Sequence, residues 1–108
     1  MTESEFETLA DAAIAALESA LDANAPELDL QAKGTGVLEI EFPDGSKMVV
    51  NRHNAARQIW VAARSGGFHF RYEGGTWRDT RSGSELFSAI ARLVSEQSGA
   101  PVSFSAPD

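Results

Sequence analysis

Apolar residues recur at two different spacings along the chain, and the change from one to the other divides it into elements. Near the N-terminus they follow helical spacing, which predicts a first helix over residues 3–23. Its apolar face would comprise Phe6, Leu9, Ala10, Ala13, Leu17, Ala20 and Leu21. A capping box is predicted at its start, at one of two places: Thr2 with Glu5, or Ser4 with Glu7.

After this helix, apolar and polar positions alternate, as they do in strands that bury one face. The predicted strands cover residues 27–32, 37–42, 47–52, 58–62, 68–72 and 76–79. Short turns such as Pro43-Asp44-Gly45-Ser46 separate them, so consecutive strands should pair as an antiparallel meander. A second helix is predicted from near Ser84, with Ser82 and Glu85 spaced as its capping box and Gly99 beyond its end.

This order of elements predicts an α+β fold in one domain covering residues 1–108. The N- and C-terminal helices would pack on one face of the antiparallel sheet, as a two-layer α/β sandwich, and leave the other face to solvent. The chain contains no cysteine, which excludes a cysteine-ligated cluster or a persulfide carried on this protein. No apolar run approaches the ~20 residues of a membrane span, and no export signal is visible at the N-terminus. We therefore expect a cytoplasmic protein with no membrane partner.

Charge is distributed unevenly along the chain, whose formal net charge is −7. Residues 1–44 hold eleven acidic residues and one basic residue, whereas residues 45–108 hold five acidic and eight basic residues. The acidic part should attract cations or a basic protein surface and repel phosphate backbones. Nucleic acid is therefore not expected as a partner.

Five acidic residues of the first helix fall within an arc of roughly 100°: Glu3, Glu7, Asp11, Glu18 and Asp22. No Lys or Arg is spaced to pair with them along the helix, so we expect these carboxylates to be unpaired. Glu27 and Asp29 continue this acidic ridge towards the sheet. An ordinary solvated face with favourable dipole interactions explains Glu3 and Glu7, but it explains Glu18 and Asp22 poorly because they lie near the helix C-terminus. Carboxylates without His or Cys suit hard cations, held weakly and with several waters.

Alternation along the strands directs a second set of polar and aromatic side chains to the open face of the sheet. Asn51, Gln58 and Trp60 should point outward there, together with His69 and Arg71. An exposed tryptophan among such neighbours resembles an interface hot spot, and the alternative is that it packs on the aliphatic stems of its neighbours. We interpret the two histidines, at positions 53 and 69, as isolated, with no nucleophile nearby, and we see no phosphate-binding loop or zinc motif. The chain is therefore not predicted to be an enzyme.

The sequence resembles the bacterial frataxins (CyaY-like proteins) over essentially its whole length. The residues that carry the resemblance are Gly36-Val37-Leu38-Glu39-Ile40-Glu41-Phe42, Asn51-Arg52, Gln58-Ile59-Trp60, Gly66-Gly67-Phe68-His69-Phe70 and Arg81-Ser82-Gly83. The resemblance implies weakly bound iron (Fe²⁺ or Fe³⁺) and regulation of iron–sulfur cluster assembly through binding of the cysteine desulfurase, with the scaffold protein as a second candidate partner. By position it implies iron binding at Glu18, Asp22 and Asp29, with Glu7, Asp11 and Glu27 as extensions. It also implies partner binding at Asn51, Gln58 and Trp60.

The chain departs from the bacterial frataxins at several positions. Ser19, Ala23 and Gln31 are neutral where relatives often carry acids, and Arg71 stands where they often carry Asp. Two alternative functions stay open: a ferroxidase that stores iron, and an acidic adaptor that works without metal. We expect a monomer, with iron-dependent oligomers as the alternative, and the sequence leaves open whether regulation is activating or inhibitory.

Overall fold

The computed structural model describes residues 1–107 and has the predicted order of elements. Along the chain, one helix precedes six consecutive strands and a second helix follows them. The elements are α1 (Glu3–Asn24), β1 (Asp29–Ala32), β2 (Val37–Glu41), β3 (Lys47–His53), β4 (Gln58–Ala63), β5 (Gly66–Glu73), β6 (Thr76–Asp79) and α2 (Leu86–Ser98).

The six strands form one antiparallel sheet in the order of the chain, so the predicted meander is confirmed. Its register aligns apolar residues across the central strands, since Val50 lies opposite both Leu38 on β2 and Val61 on β4. Ile59 in turn lies opposite Phe70. Because side chains alternate between the two faces of a strand, this register collects the large apolar residues on a single face.

Both helices cover that apolar face, as expected for the predicted two-layer α/β sandwich. Fully buried side chains come from both layers: Phe6, Leu17 and Leu21 from α1, Leu86, Ile90 and Leu93 from α2, and Leu38, Ile40, Met48, Val50, Ile59 and Phe70 from the sheet. Trp77 is buried and makes an edge-to-face contact with Phe6, with 6.0 Å between ring centroids. Phe68 and Tyr72 are only partly buried at the rim of this core. No helix within residues 1–107 is long and apolar enough to cross a membrane.

The start of α1 confirms one of the two predicted capping boxes. Thr2 N donates to the Glu5 carboxylate at 2.8 Å, and Glu5 N donates to the Thr2 hydroxyl at 3.1 Å. Two amides that helix geometry leaves without partners are thereby satisfied. The first strand begins two residues later than predicted, at Asp29, so Glu27 lies in the turn between α1 and β1.

The start of α2 differs from the prediction, because Ser82 and Glu85 do not form a capping box. Glu85 is itself the N-cap, and its carboxylate accepts from the amides of the next turn, including Ser88 N at 3.1 Å. Ser82 belongs instead to a closed turn, where Asp79 accepts from its amide and Asp79 N donates to Ser84 O. Asp79 therefore accepts from the Ser82 amide, which in a capping box would donate to the Glu85 carboxylate.

Candidate cation-binding ridge and partner-binding face

Three of the predicted metal-binding residues line one shallow depression at the C-terminal end of α1. Glu18 and Asp22 come from the helix and Asp29 from the start of β1, around a space of about 460 Å³. Asp22 and Asp29 are exposed and Glu18 is half-buried. Within residues 1–107, neither Glu18 nor Asp22 forms a salt bridge or a side-chain hydrogen bond, and the only such contact of Asp29 is from Gln31, at 3.4 Å. The negative charge of this depression is therefore uncompensated by neighbouring side chains.

The predicted extensions of the ridge, Glu7 and Asp11, have partners, so the expectation that the α1 carboxylates are unpaired is wrong for them. Arg52 on β3 lies 2.5 Å from Asp11 and 3.5 Å from Glu7, and only 16% of its side chain is exposed. Asn54 donates to Glu7 at 2.7 Å. Arg52 reaches the helix because it continues the inward-pointing series of β3, two residues after Val50.

Gly36 makes room for the Arg52 side chain. A Cβ at position 36 would lie 2.7 Å from the Arg52 stem, and the backbone there has φ +76°. Both facts favour glycine at this position. The N-terminal half of the ridge is thus paired, and in part compensated in charge, by residues of the sheet and the turn after it, and the unpaired carboxylates are confined to its C-terminal half.

The acidic depression does not form a closed metal site. Among residues 1–107 no group of three or more His, Cys, Asp or Glu side chains is arranged to hold a metal ion. Glu27 is exposed and does not line the depression. The oxygen donors that remain match the chemistry of a hard cation that keeps most of its own waters, and they do not provide the rigid cage that a tightly held ion requires.

On the open face of the sheet, the structure brings the predicted partner-binding residues together. Asn51 on β3 lies directly opposite Trp60 on β4, and Gln58 is two residues before Trp60 on the same face. Trp60 Nε1 donates to Gln58 Oε1 at 2.8 Å. All three side chains are half-buried.

Both histidines lie against Trp60, so their interpretation as isolated residues is wrong. The centroid of the His53 ring is 3.8 Å from that of Trp60, and the centroid of the His69 ring is 4.5 Å away, with an angle of 11° between planes in both cases. The flat faces of Trp60 therefore meet imidazoles and not the aliphatic stems considered as the alternative. The short turn between β4 and β5 could have revealed one of these contacts, since it places Trp60 opposite His69.

The open face carries charged groups on both sides of Trp60. On β2 and β3, Glu39 is paired with Lys47 at 3.2 Å. Towards the other edge, Arg71 lies opposite Arg78 and is 3.1 Å from Glu73, its only carboxylate partner within residues 1–107. Trp60 lies between these two regions, in a part of the face that carries the amides of Asn51 and Gln58 and the two imidazoles.

Comparison with known proteins gives one consistent family. The sequence profile of the frataxin-like domain matches residues 1–100. An iron–sulfur cluster assembly protein CyaY of Dechloromonas aromatica is 52% identical over 99 residues, covering 92% of this chain and 94% of its own length. Its counterpart of the same name in Paraburkholderia xenovorans is 47% identical over 106 residues, covering 98% and 100%.

Solved structures agree with the sequence comparison. Frataxin from Psychromonas ingrahamii has a TM-score of 0.89 and 30% identity, covering 98% of this chain and all of its own. The trimeric frataxin of the yeast Saccharomyces cerevisiae, complexed with ferrous iron, has a TM-score of 0.66 and 25% identity, covering 92% and 88%.

Proposed function

Because this chain belongs to the frataxin-like domain family, we propose that it is an accessory protein of iron–sulfur cluster assembly that binds the cysteine desulfurase and weakly binds iron. The proposal extends to a cytoplasmic location and to regulation of the desulfurase. The observation that carries it is the uncompensated acidic depression of Glu18, Asp22 and Asp29, on the same molecule as an outward tryptophan held by polar neighbours.

The two surfaces have different roles in this proposal. The acidic depression attracts a basic surface of the desulfurase over a distance and sets the orientation of the encounter. Trp60, with Asn51 and Gln58 beside it, then forms the contact that excludes water and determines how long the complex lasts. Iron is held by the same carboxylates through charge and water-mediated contacts, as cargo or as a signal.

A metal-independent adaptor is the second candidate, and the open arrangement of the carboxylates favours it. In that case the acidic depression serves only to meet a basic protein. A chelator separates the two candidates, because it abolishes an iron-dependent effect on desulfurase binding and leaves a purely protein–protein contact unchanged.

Binding kinetics against the desulfurase test the main proposal. Asp22→Lys should slow association roughly three- to tenfold at low salt, with little effect on dissociation, because exposed charges act mainly on encounter. Trp60→Ala should instead speed dissociation and leave the salt dependence unchanged. Glu96→Lys is the matched control, since it makes the same charge change on α2, away from the ridge, where Glu96 pairs with Arg92.

The proposed binding of iron is tested by a separate measurement. Anaerobic titration with Fe²⁺, followed by amide NMR, should perturb residues around Glu18, Asp22 and Asp29 most strongly. Shifts centred on His53 or His69, with α1 unaffected, would place the site elsewhere.

The binding experiment has its own refuting outcome. Salt-insensitive desulfurase binding, with normal association of Asp22→Lys, would refute the role of the ridge.

A further inference from the structure

Three aromatic rings stack face to face across three neighbouring strands of the open face. His53 comes from the end of β3, Trp60 from β4 and His69 from β5. Trp60 and His69 are direct cross-strand partners, whereas His53 lies opposite Gln58 and reaches Trp60 diagonally. The rings are nearly parallel, with 11° between adjacent planes.

This arrangement removes the freedom that a surface tryptophan normally has. Both flat faces of the indole are covered by imidazoles, at centroid distances of 3.8 and 4.5 Å. The indole N–H donates to Gln58 Oε1 at 2.8 Å, which also restrains the rotation of the ring within its own plane. The edge of the indole is therefore the part of Trp60 left to meet another molecule. Trp60 and His53 are half-buried, and His69 is exposed.

We propose that His53 and His69 are positioning residues, which hold Trp60 as the middle ring of a rigid three-ring row that the partner meets edge-on. The inference rests on the proposed function of the open face as the partner-binding surface. A side chain that is already ordered loses little conformational entropy on binding, so the row lowers the cost of forming the complex.

The edge-on geometry also determines what kind of surface fits it. The edge of an aromatic ring is electropositive relative to its face. His53 Nδ1 accepts from Ala56 N at 3.2 Å, so its Nε2 carries the N–H that this ring can donate. The charged neighbours along the face towards β6 are Arg71 and Arg78, with Glu73 paired to Arg71. The complementary surface is therefore a narrow protein groove lined by backbone carbonyl or carboxylate oxygens, and not a flat aromatic surface that would stack on the indole.

The first test measures the position of Trp60 without any partner. In ¹⁵N NMR the Trp60 indole N–H, assigned by Trp60→Phe, should show a high order parameter in the parent chain. His53→Leu and His69→Leu should each lower it and change its chemical shift, because leucine fills a similar volume without a flat ring. His53→Phe and His69→Phe should keep both properties near the parent values.

The second test uses the same variants in desulfurase binding. The leucine variants should bind roughly three- to tenfold more weakly through faster dissociation, whereas the phenylalanine variants should lie closer to the parent. Val49→Ala, on the same face of β3 and outside the stack, is the control and should bind normally. Normal ordering of Trp60 in the leucine variants would overturn the proposal, as would equal losses in the leucine and phenylalanine variants.

The two arms separate this inference from the proposed function. A parent chain that does not bind the desulfurase refutes the proposed function and, with it, the partner-binding half of the inference. The NMR arm still decides whether the imidazoles position Trp60.

Discussion

Two aspartates on α1 should respond in opposite directions to the same neutral substitution. Asp22 lies in the last turn of the helix, which contains no basic residue, and it has no side-chain partner within residues 1–107. Removing its charge relieves an unfavourable interaction with the helix dipole, so Asp22→Asn should stabilise the fold by about 0.3–1 kcal/mol. Asp11 is paired with Arg52 at 2.5 Å. A hydrogen bond between charged groups contributes about 1.5–3 kcal/mol, but 42% of the Asp11 side chain is exposed. We therefore expect Asp11→Asn to cost only about 1 kcal/mol, after allowance for screening by solvent.

Urea denaturation at low ionic strength measures both changes directly. The midpoints should move in opposite directions at constant m-value, and a thermal melt should separate the two variants by about 6 °C. Raising the salt to ~1 M should remove most of the gain from Asp22→Asn, because exposed charges are then screened within about 3 Å. The loss from Asp11→Asn should largely persist, since Arg52 is mostly buried.

Arg52→Met provides the control for the pair, because it keeps the aliphatic stem and removes the charge. In that background Asp11→Asn should cost little, while Asp22→Asn should still stabilise. The reasoning fails if both aspartate substitutions change stability in the same direction, or if Arg52→Met leaves the cost of Asp11→Asn unchanged.

Two further predictions concern contacts around Ser46, in the turn between β2 and β3. Gln97 is buried on α2. Its side chain accepts from Arg64 N at 3.1 Å and donates to the Ser46 hydroxyl at 3.0 Å and to Lys47 O at 3.2 Å. Gln97→Leu should lower the free energy of unfolding by about 1–3 kcal/mol, measured by urea denaturation, because buried polar groups lose their partners. The hydroxyl and amide of Ser46, together with the Arg64 guanidinium, lower the pKa of Asp44 to about 2. This carboxylate thus contributes stability above its ordinary pKa of about 3.9 and loses it as pH falls towards 2; a ¹³C carboxyl titration should show the low pKa, and Ser46→Ala should raise it.

The fold could be predicted from the sequence because each element is specified locally. Alternating apolar positions identify the strands, and glycine-containing turns fix the order in which they pair. The start of α2 could not be predicted in the same way. Whether Ser82 or Glu85 caps the helix depends on Asp79, which binds the Ser82 amide from the preceding strand. Spacing alone does not reveal that competition.

The errors at the candidate site have a common physical cause, which is contact between side chains on different elements of secondary structure. Asp11 and Arg52 are 41 positions apart, so a search for pairing within α1 misses their interaction. Alternation along β3 contains the missing signal, since it places Arg52 on the same face as Val50, beneath the helix. The His53–Trp60 contact is harder to predict because it is diagonal across two strands. Its geometry depends on the twist of the sheet, which side-chain alternation does not specify.

The division of the acidic ridge into a paired and an unpaired half separates stability from the proposed function. Arg52 and Asn54 attach the N-terminal half of α1 to the end of β3, so Glu7 and Asp11 contribute to holding helix and sheet together. The C-terminal half retains its charge at an energetic cost to the helix, since Asp22 in the last turn opposes the dipole. A carboxylate that lowers stability and has no side-chain partner can be substituted without loss of a structural contact, so we expect the fold to stay intact. Residues 18, 22 and 29 are therefore the positions at which loss of cation or desulfurase binding can be attributed to the site itself, whereas the same loss at Glu7 or Asp11 would include a change in stability.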